Sequence, residues 1–341
     1  MMSDAPIVKE VLLVGGGHTH ALVLRRWGMR PVPGARLTLV NPAPSAPYTG
    51  MLPGHVAGHY GREALEIDLV RLARFAGARF VDGRAVALDR HARIVTLASG
   101  RSLSYDMLSL DIGITSDMPS LPGFEGHGVA AKPLGRFADR WAEVTSGTGP
   151  VSVALIGAGV AGAELAMACA HRLQGLDRRC EITLIDRGAI LGAVPPAARR
   201  RLLRALGDWG VTCIAGDAPV EVTADAILLE SGRRVAADVT IGSAGAVPQA
   251  WLAETGLETH QGYVVTDRYL RSVSDPRIYA AGDCAHFGPD PRPKAGVYAV
   301  RAAPVLAHNL AADLTGSQRR AFRPQGDFLK LISLGGKSAV A

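Results

Sequence analysis

Two glycine-rich loops, Gly15-Gly16-Gly17-His18-Thr19-His20 and Gly157-Ala158-Gly159-Val160-Ala161-Gly162, begin 142 residues apart in this 341-residue chain. Each follows an apolar run, at 11–14 and at Val151–Ile156, and each precedes a helix-compatible stretch, 21–27 and 160–173. Strand, tight turn and helix is the setting in which glycine lets backbone approach a diphosphate, and the helix N-terminus offers it unpaired N–H groups. One such loop constrains little, because short glycine motifs arise by chance. Two in order, followed by Ile278-Tyr279-Ala280-Ala281-Gly282-Asp283, imply two nucleotide sites in one chain.

The loops differ in quality. In the first, His20 stands where a third glycine normally permits close helix-to-strand packing. The next strand, 36–40, ends on Asn41 instead of a carboxylate, and its amide oxygen can accept a ribose hydroxyl without charge. The second loop keeps all three glycines, Gly157, Gly159 and Gly162, and its following strand, 181–185, ends on Asp186. A carboxylate there accepts both ribose hydroxyls of NADH and repels a 2′-phosphate. Arg187, with Arg178 and Arg179 nearby, keeps NADPH open.

These motifs, with Tyr105-Asp106-Met107-Leu108 leading to Gly113 and a return strand over 238–245, resemble the pyridine nucleotide-disulfide oxidoreductase superfamily shared by type II NADH dehydrogenases and sulfide:quinone oxidoreductases. The resemblance runs nearly end to end. It implies an α/β chain of two Rossmann-like dinucleotide-binding domains, the second inserted in the first. FAD would sit at Gly15, Gly17, His18, His20, Asn41, Thr49, Met51, Ala85, Gly113, Gly282 and Asp283, and NADH at the second loop, passing a hydride to flavin N5. It also implies that Asp283 reaches the flavin's ribityl chain and that Glu164 positions the nicotinamide. A helix over 295–310 would start at the flavin's pyrimidine edge, where Lys294 adds positive charge.

A narrower resemblance lies in Gly-Gly-Gly-His-Thr-His20, Pro47-Tyr-Thr-Gly-Met-Leu-Pro53 and Gly58-His-Tyr60. These look like the subgroup of such flavoproteins associated with selenophosphate synthetase (selenide, water dikinase), which implies an electron-transfer partner in selenium metabolism.

The expected acceptor is a small molecule other than a disulfide, a quinone or a selenium or sulfur species. No Cys pair lies between Asn41 and Tyr60, where disulfide reductases of this fold carry one. Cys169, Cys180 and Cys213 fall inside the second domain, and Cys284 takes a position used for packing. That weakens sulfide- or selenide-oxidising quinone reduction, the main alternative. Type II NADH dehydrogenases carry two glutamines early in the last helix; Val297 and Arg301 stand there, and the guanidinium of Arg301 suits an anionic acceptor such as a selenium or sulfur oxyanion. A flavin-bound docking module with little turnover is the third reading. No metal site is expected, because the cysteines lack ligand spacing and Pro53-Gly54 makes the His55–His59 segment a loop.

Expected domains are 1–114 and 248–317 for FAD, with an amphipathic helix over 64–75, then 115–247 for NAD(P)H, and 318–341 as the start of a C-terminal α+β domain. Because the chain stops soon after the hairpin-like Phe328-to-Gly336 segment, it reads as part of a longer polypeptide, whose missing region would supply any peripheral membrane contact. A net charge of +6 permits an anionic membrane surface or anionic cofactors. Arg199, Arg200, Arg201 and Arg204 recur at helical spacing and read as a solvated face, with no motif for nucleic acid beside them. Residues 1–10 lack an export signal, and no uncharged 18-residue apolar run exists, so the expected station is the cytoplasm or the inner face of a membrane.

Overall fold

The structure, a computed structural model, describes residues 9–132 and 134–341; the reading of the N-terminal leader thus falls outside the described residues except at its last two positions. The chain divides into two compact units. One gathers the described residues of Met1–Ala46, Glu66–Ile114 and Pro248–Phe328; the other gathers Pro47–Leu65, Thr115–Val247 and Leu329–Ala341.

In the first unit five parallel strands run in the order Ile278–Ala280, Met107–Leu110, Lys9–Val14, Ala35–Asn41, Arg79–Asp82. Both faces are covered, which is why these strands read as near-continuous apolar runs instead of alternating ones. On one face Val23, Leu24 and Trp27 of the helix His18–Met29 meet Leu306 and Leu310 of the helix Gly296–Thr315. On the other face Val14, Val40 and Leu108 pack on Val95 and Leu97 of an antiparallel three-stranded sheet.

The second unit repeats the plan with strands Gly128–Ala130, Val239–Gly242, Val151–Ile156, Cys180–Asp186 and Thr212–Ala215, again all parallel. Its central helix, Val160–Gln174, is rich in alanine, and Ala163, Ala166 and Ala170 are solvent-free, so the helix lies close on the sheet. In each unit the glycine loop leaves the C-terminal end of a central strand, where ligands of open α/β sheets bind.

Three expectations are corrected. The helix anticipated over 64–75 begins only at Leu69, because Glu66–Asp68 forms a strand and the Asp68 carboxylate caps the helix by accepting the Arg71 N–H at 2.8 Å. Leu52–Val56 is a one-turn helix with proline in its first turn, where the missing N–H costs nothing, so that stretch is no loop. His59 lies beyond it; its Nε2 is 3.2 Å from Gly335 O while His55 Nδ1 is 3.0 Å from Tyr60 O. Finally, segments Pro47–Leu65 and Leu329–Ala341 group with the second unit. The latter is clamped there by Trp209 Nε1, which donates to Leu334 O at 2.7 Å, and by Glu164, which accepts the Ser333 N–H at 2.8 Å.

Arg200, Arg201 and Arg204 are exposed on the helix Pro196–Asp208, while Arg199 donates to Ile190 O. Among the described residues no helix is long and apolar enough to cross a membrane.

Candidate functional site

The first cradle is a loop held at every glycine. Gly15, at φ +90°, donates its N–H to Val40 O at 2.8 Å, Gly16 donates to Asn41 Oδ1 at 2.9 Å, and Gly17 donates to Asp111 O at 3.2 Å. A Cβ on Gly15 would run into the backbone of Asp111, and one on Gly17 into its carboxylate. Asn41 thus has its amide oxygen on the loop, and its Nδ2 on Ala43 O and Ser45 O. It shapes the turn, and Oδ1 keeps a second lone pair with which to accept a ribose hydroxyl.

His20 is corrected. The ring is wholly buried, with Nδ1 2.7 Å from Gly15 O and Nε2 2.8 Å from Ser109 Oγ. Burial pulls its pKa down to about 4, so the imidazole is neutral; Nδ1 then donates to the carbonyl and Nε2 accepts from the serine. No donor remains for a cofactor. In the second cradle the carbonyl of Gly157 is served instead by Ser243 Oγ at 2.7 Å, right beside the missing Cβ of Gly162. A glycine with a serine partner in one loop is replaced by a histidine in the other.

Asp111 was missed by sequence reasoning. It is 3% exposed, just past the strand Met107–Leu110, and its Oδ2 accepts the His20 N–H at 3.0 Å. Thr19 adds its N–H, its hydroxyl donating instead to Ala299 O at 3.0 Å, and a Cβ on Gly282, at φ +67°, would strike Oδ1. The loop, the helix start and the Gly282–Cys284 turn therefore converge on one carboxyl. Burial above all pushes its pKa up to about 7, with Asp283 adding to the rise. The signal was available: a charged residue directly after a solid apolar strand is costly unless the fold uses it.

Beside this cradle, Gly282 and Asp283 line a cleft with Lys294, Ala295, Tyr298 and Ala299. Lys294 Nζ donates to Ala285 O and lies 4.0 Å from the centroid of the Tyr263 ring; burial pulls its pKa down. Arg301 is exposed on the helix Gly296–Thr315. Gly113, at φ +65°, needs glycine for its backbone alone, and Ala85 is buried on an antiparallel strand. Cys284 is buried against Ala281 O and Leu110 O, and burial pushes its thiol up to about 12, so it is an inert packing residue.

In the second cradle Gly157, at φ +99°, donates to Ile185 O at 2.8 Å. Asp186 accepts the Ala158 N–H at 2.7 Å and the Gly188 N–H at 2.8 Å, which leaves lone pairs for ribose hydroxyls. Gly159 is exposed at the mouth with nothing near its missing Cβ. Arg178 is tied to Val144 O and Gly149 O at the other end of the strand, roughly 20 Å from Asp186 at ~3.3 Å per residue. Of the three nearby arginines only Arg187 stays beside Asp186. Glu164, whose pKa burial pushes up to about 6 against the pull of the Ser333 N–H, lies one turn along the helix.

Thr49 and Met51 sit on a 3-10 turn of the second unit, half-exposed. His18, at the start of the first-loop helix, is half-buried. Among the described residues no three His, Cys, Asp or Glu side chains gather as a metal site.

Both cradles fit a dinucleotide: positive-φ glycine, backbone N–H groups at the start of a long helix, and no Cβ in the approach. Comparison with known proteins agrees. An NADH dehydrogenase-like protein of Mycobacterium tuberculosis is 30% identical over 223 residues, 62% of this chain and 56% of that one. A nitric oxide reductase FlRd-NAD(+) reductase of Klebsiella pneumoniae is 34% identical over 193 residues, 54% of this chain and 47% of that one. The chain thus spans about half the length of these curated relatives. The crystal structure of the sulfide:quinone oxidoreductase of Aquifex aeolicus superimposes with a TM-score of 0.77 at 21% identity, covering 96% of this chain and 82% of that one, a likeness of fold. Residues 9–303 match the pyridine nucleotide-disulphide oxidoreductase family, and the chain belongs to that family of FAD-binding oxidoreductases that use NADH or NADPH.

Proposed function

We propose that the chain is an FAD-dependent NADH oxidoreductase with a non-disulfide acceptor. The observation that carries this reading is the pair of diphosphate cradles, one per unit, each with its own helix N-terminus. Gly15, Gly17, His18, Asn41, Gly113, Gly282 and Asp283 would hold FAD, with Thr49, Met51 and Ala85 as further contacts. Gly157, Gly159, Gly162 and Asp186 would hold NADH, with Glu164 orienting its nicotinamide end. When bound, FAD would take a hydride from NADH and pass the electrons on. NADH is favoured over NADPH because Asp186 is the charge at the end of its strand and Arg178 is withdrawn from it. Anaerobic mixing tests the reading: rapid loss of the yellow absorbance on adding NADH supports it, and a flavin left oxidised by excess NADH rejects it in favour of the docking module.

Lys294 acts through charge. It precedes a 20-residue helix whose N-terminal dipole favours negative charge by roughly 0.3–1 kcal/mol, and its ammonium adds to that end. Since ~1.4 kcal/mol corresponds to ~30 mV for a two-electron couple, Lys294→Ala is expected to lower the flavin potential by tens of millivolts. An unchanged midpoint in spectroelectrochemical titration removes Lys294 from the mechanism.

For the acceptor, exposed Arg301 favours an anion such as a selenium or sulfur oxyanion. Selenophosphate synthetase is the proposed partner, on the strength of the Gly-Gly-Gly-His-Thr-His20 and Pro47-to-Pro53 motifs. A quinone reductase that oxidises sulfide or selenide would need a reactive thiol, and Cys284 is buried and protonated. The Klebsiella relative's name points instead to a protein acceptor, FlRd. A steady-state screen of selenite, polysulfide, menadione-type quinones and a rubredoxin-type protein separates these. Selenite turnover that drops in Arg301→Ala supports the oxyanion reading, and equal rates in both proteins reject it.

A further inference from the structure

Asp111 places a carboxyl at the anion-binding end of the first-loop helix, from inside the protein. Its Oδ2 holds the His20 N–H at 3.0 Å, the Thr19 N–H adds to that, and its carbonyl holds the Gly17 N–H at 3.2 Å. Those groups belong to the turn that must receive a diphosphate, and the carboxyl lies so close beneath it that a Cβ on Gly17 would sit 2.4 Å from its oxygens. A carboxylate there and a diphosphate would repel each other with little solvent to screen them.

Beyond these N–H donors the surroundings offer no positive charge to offset that repulsion. From the helix His18–Met29 the facing groups are Thr19 and His20, whose imidazole is neutral and spent on Gly15 O and Ser109 Oγ. From the Gly282–Cys284 turn they are Asp283, of like charge, and the protonated Cys284 thiol. The helix Gly296–Thr315 brings Ala299 to that turn, and its carbonyl takes the Thr19 hydroxyl at 3.0 Å. Lys294 acts on Asp283 and Cys284, not on Asp111. Among the described residues no cation pairs with Asp111.

We propose that the first cradle accepts its dinucleotide only with Asp111 as the neutral acid, so that FAD binding at alkaline pH draws one proton from solvent onto the Asp111 carboxylate. This rests on the FAD reading above. Affinity for FAD then weakens as pH rises past neutrality, because the ionised apo-protein must first be protonated.

The test is calorimetric titration of the apo-protein with FAD at pH 8 in two buffers of different ionisation enthalpy, with Kd followed from pH 6 to 9. Expected are uptake of roughly one proton by the wild type and a Kd rising ~10-fold per pH unit above neutrality, with neither effect in Asp111→Asn. Wild-type protein that binds FAD at pH 8 without proton uptake overturns the inference whatever the variant does, and so does the same uptake in Asp111→Asn. Failure to bind FAD at any pH brings down this inference and the FAD assignment together, whereas binding without uptake leaves the latter standing.

Discussion

Asp111→Asn is expected to melt well above the wild-type apo-protein at pH 8, by on the order of 10 °C. The carboxyl titrates near 3.8 when unfolded and near 7 in its buried place, so between those values the folded chain holds a proton that the unfolded chain has lost. Stability therefore falls as pH rises through that window and levels off above about 7, for a total of at most about 4 kcal/mol. An amide has no charge to desolvate and its oxygen still accepts the His20 N–H. At 2–4 °C per kcal/mol, roughly the value for a unit of this size, the gap is large at pH 8 and closes toward pH 4. Equal midpoints at pH 8 would place the carboxyl's titration elsewhere.

Gly162→Ala is the second large effect. A helix interior ordinarily prefers alanine, by up to ~1 kcal/mol. Here the added Cβ would overlap Gly157 O and lie 2.7 Å from Ser243 Oγ, and the first of these is backbone that cannot rotate away. The loop must open, which costs about 3 kcal/mol. NADH affinity is expected to drop by about 100-fold or more. FAD content should persist, since the first cradle shares none of these contacts. The readout is a yellow protein that NADH no longer bleaches at concentrations sufficient for the wild type. Wild-type reduction kinetics in this variant would take the second loop out of nucleotide binding.

Much of this was legible because it is local. The strand-loop-helix context of both glycine motifs follows from apolar runs and from glycines, which alone adopt the positive φ of such a turn readily, and Asp186 falls at its strand end by simple counting. What escaped was set by tertiary partners. Nothing near His20 in sequence says that its ring fills the role Ser243 plays in the other loop, since Ser109 and Gly15 are brought to it by the sheet. Asp111 lies unremarked between the Tyr105-to-Leu108 motif and Gly113, and its meaning depends on Thr19, His20 and Gly282, far away along the chain. The missing half of the helix over 64–75 is a case of tertiary override: Glu66–Asp68 is drawn into a strand with Ser45–Pro47 despite helical patterning. The grouping of 329–341 with the second unit rests on Glu164 and Trp209, side chains whose reach no periodicity reports.

The central claim is that one chain carries two separate dinucleotide sites of different specificity. Counting nucleotides at equilibrium tests it most directly, with labelled FAD and the unreactive NAD+ added together to the apo-protein at pH 6.5. One FAD and one NAD+ per chain, neither displacing the other at millimolar excess, is the result this account predicts. A single nucleotide per chain, or mutual displacement, would contradict it.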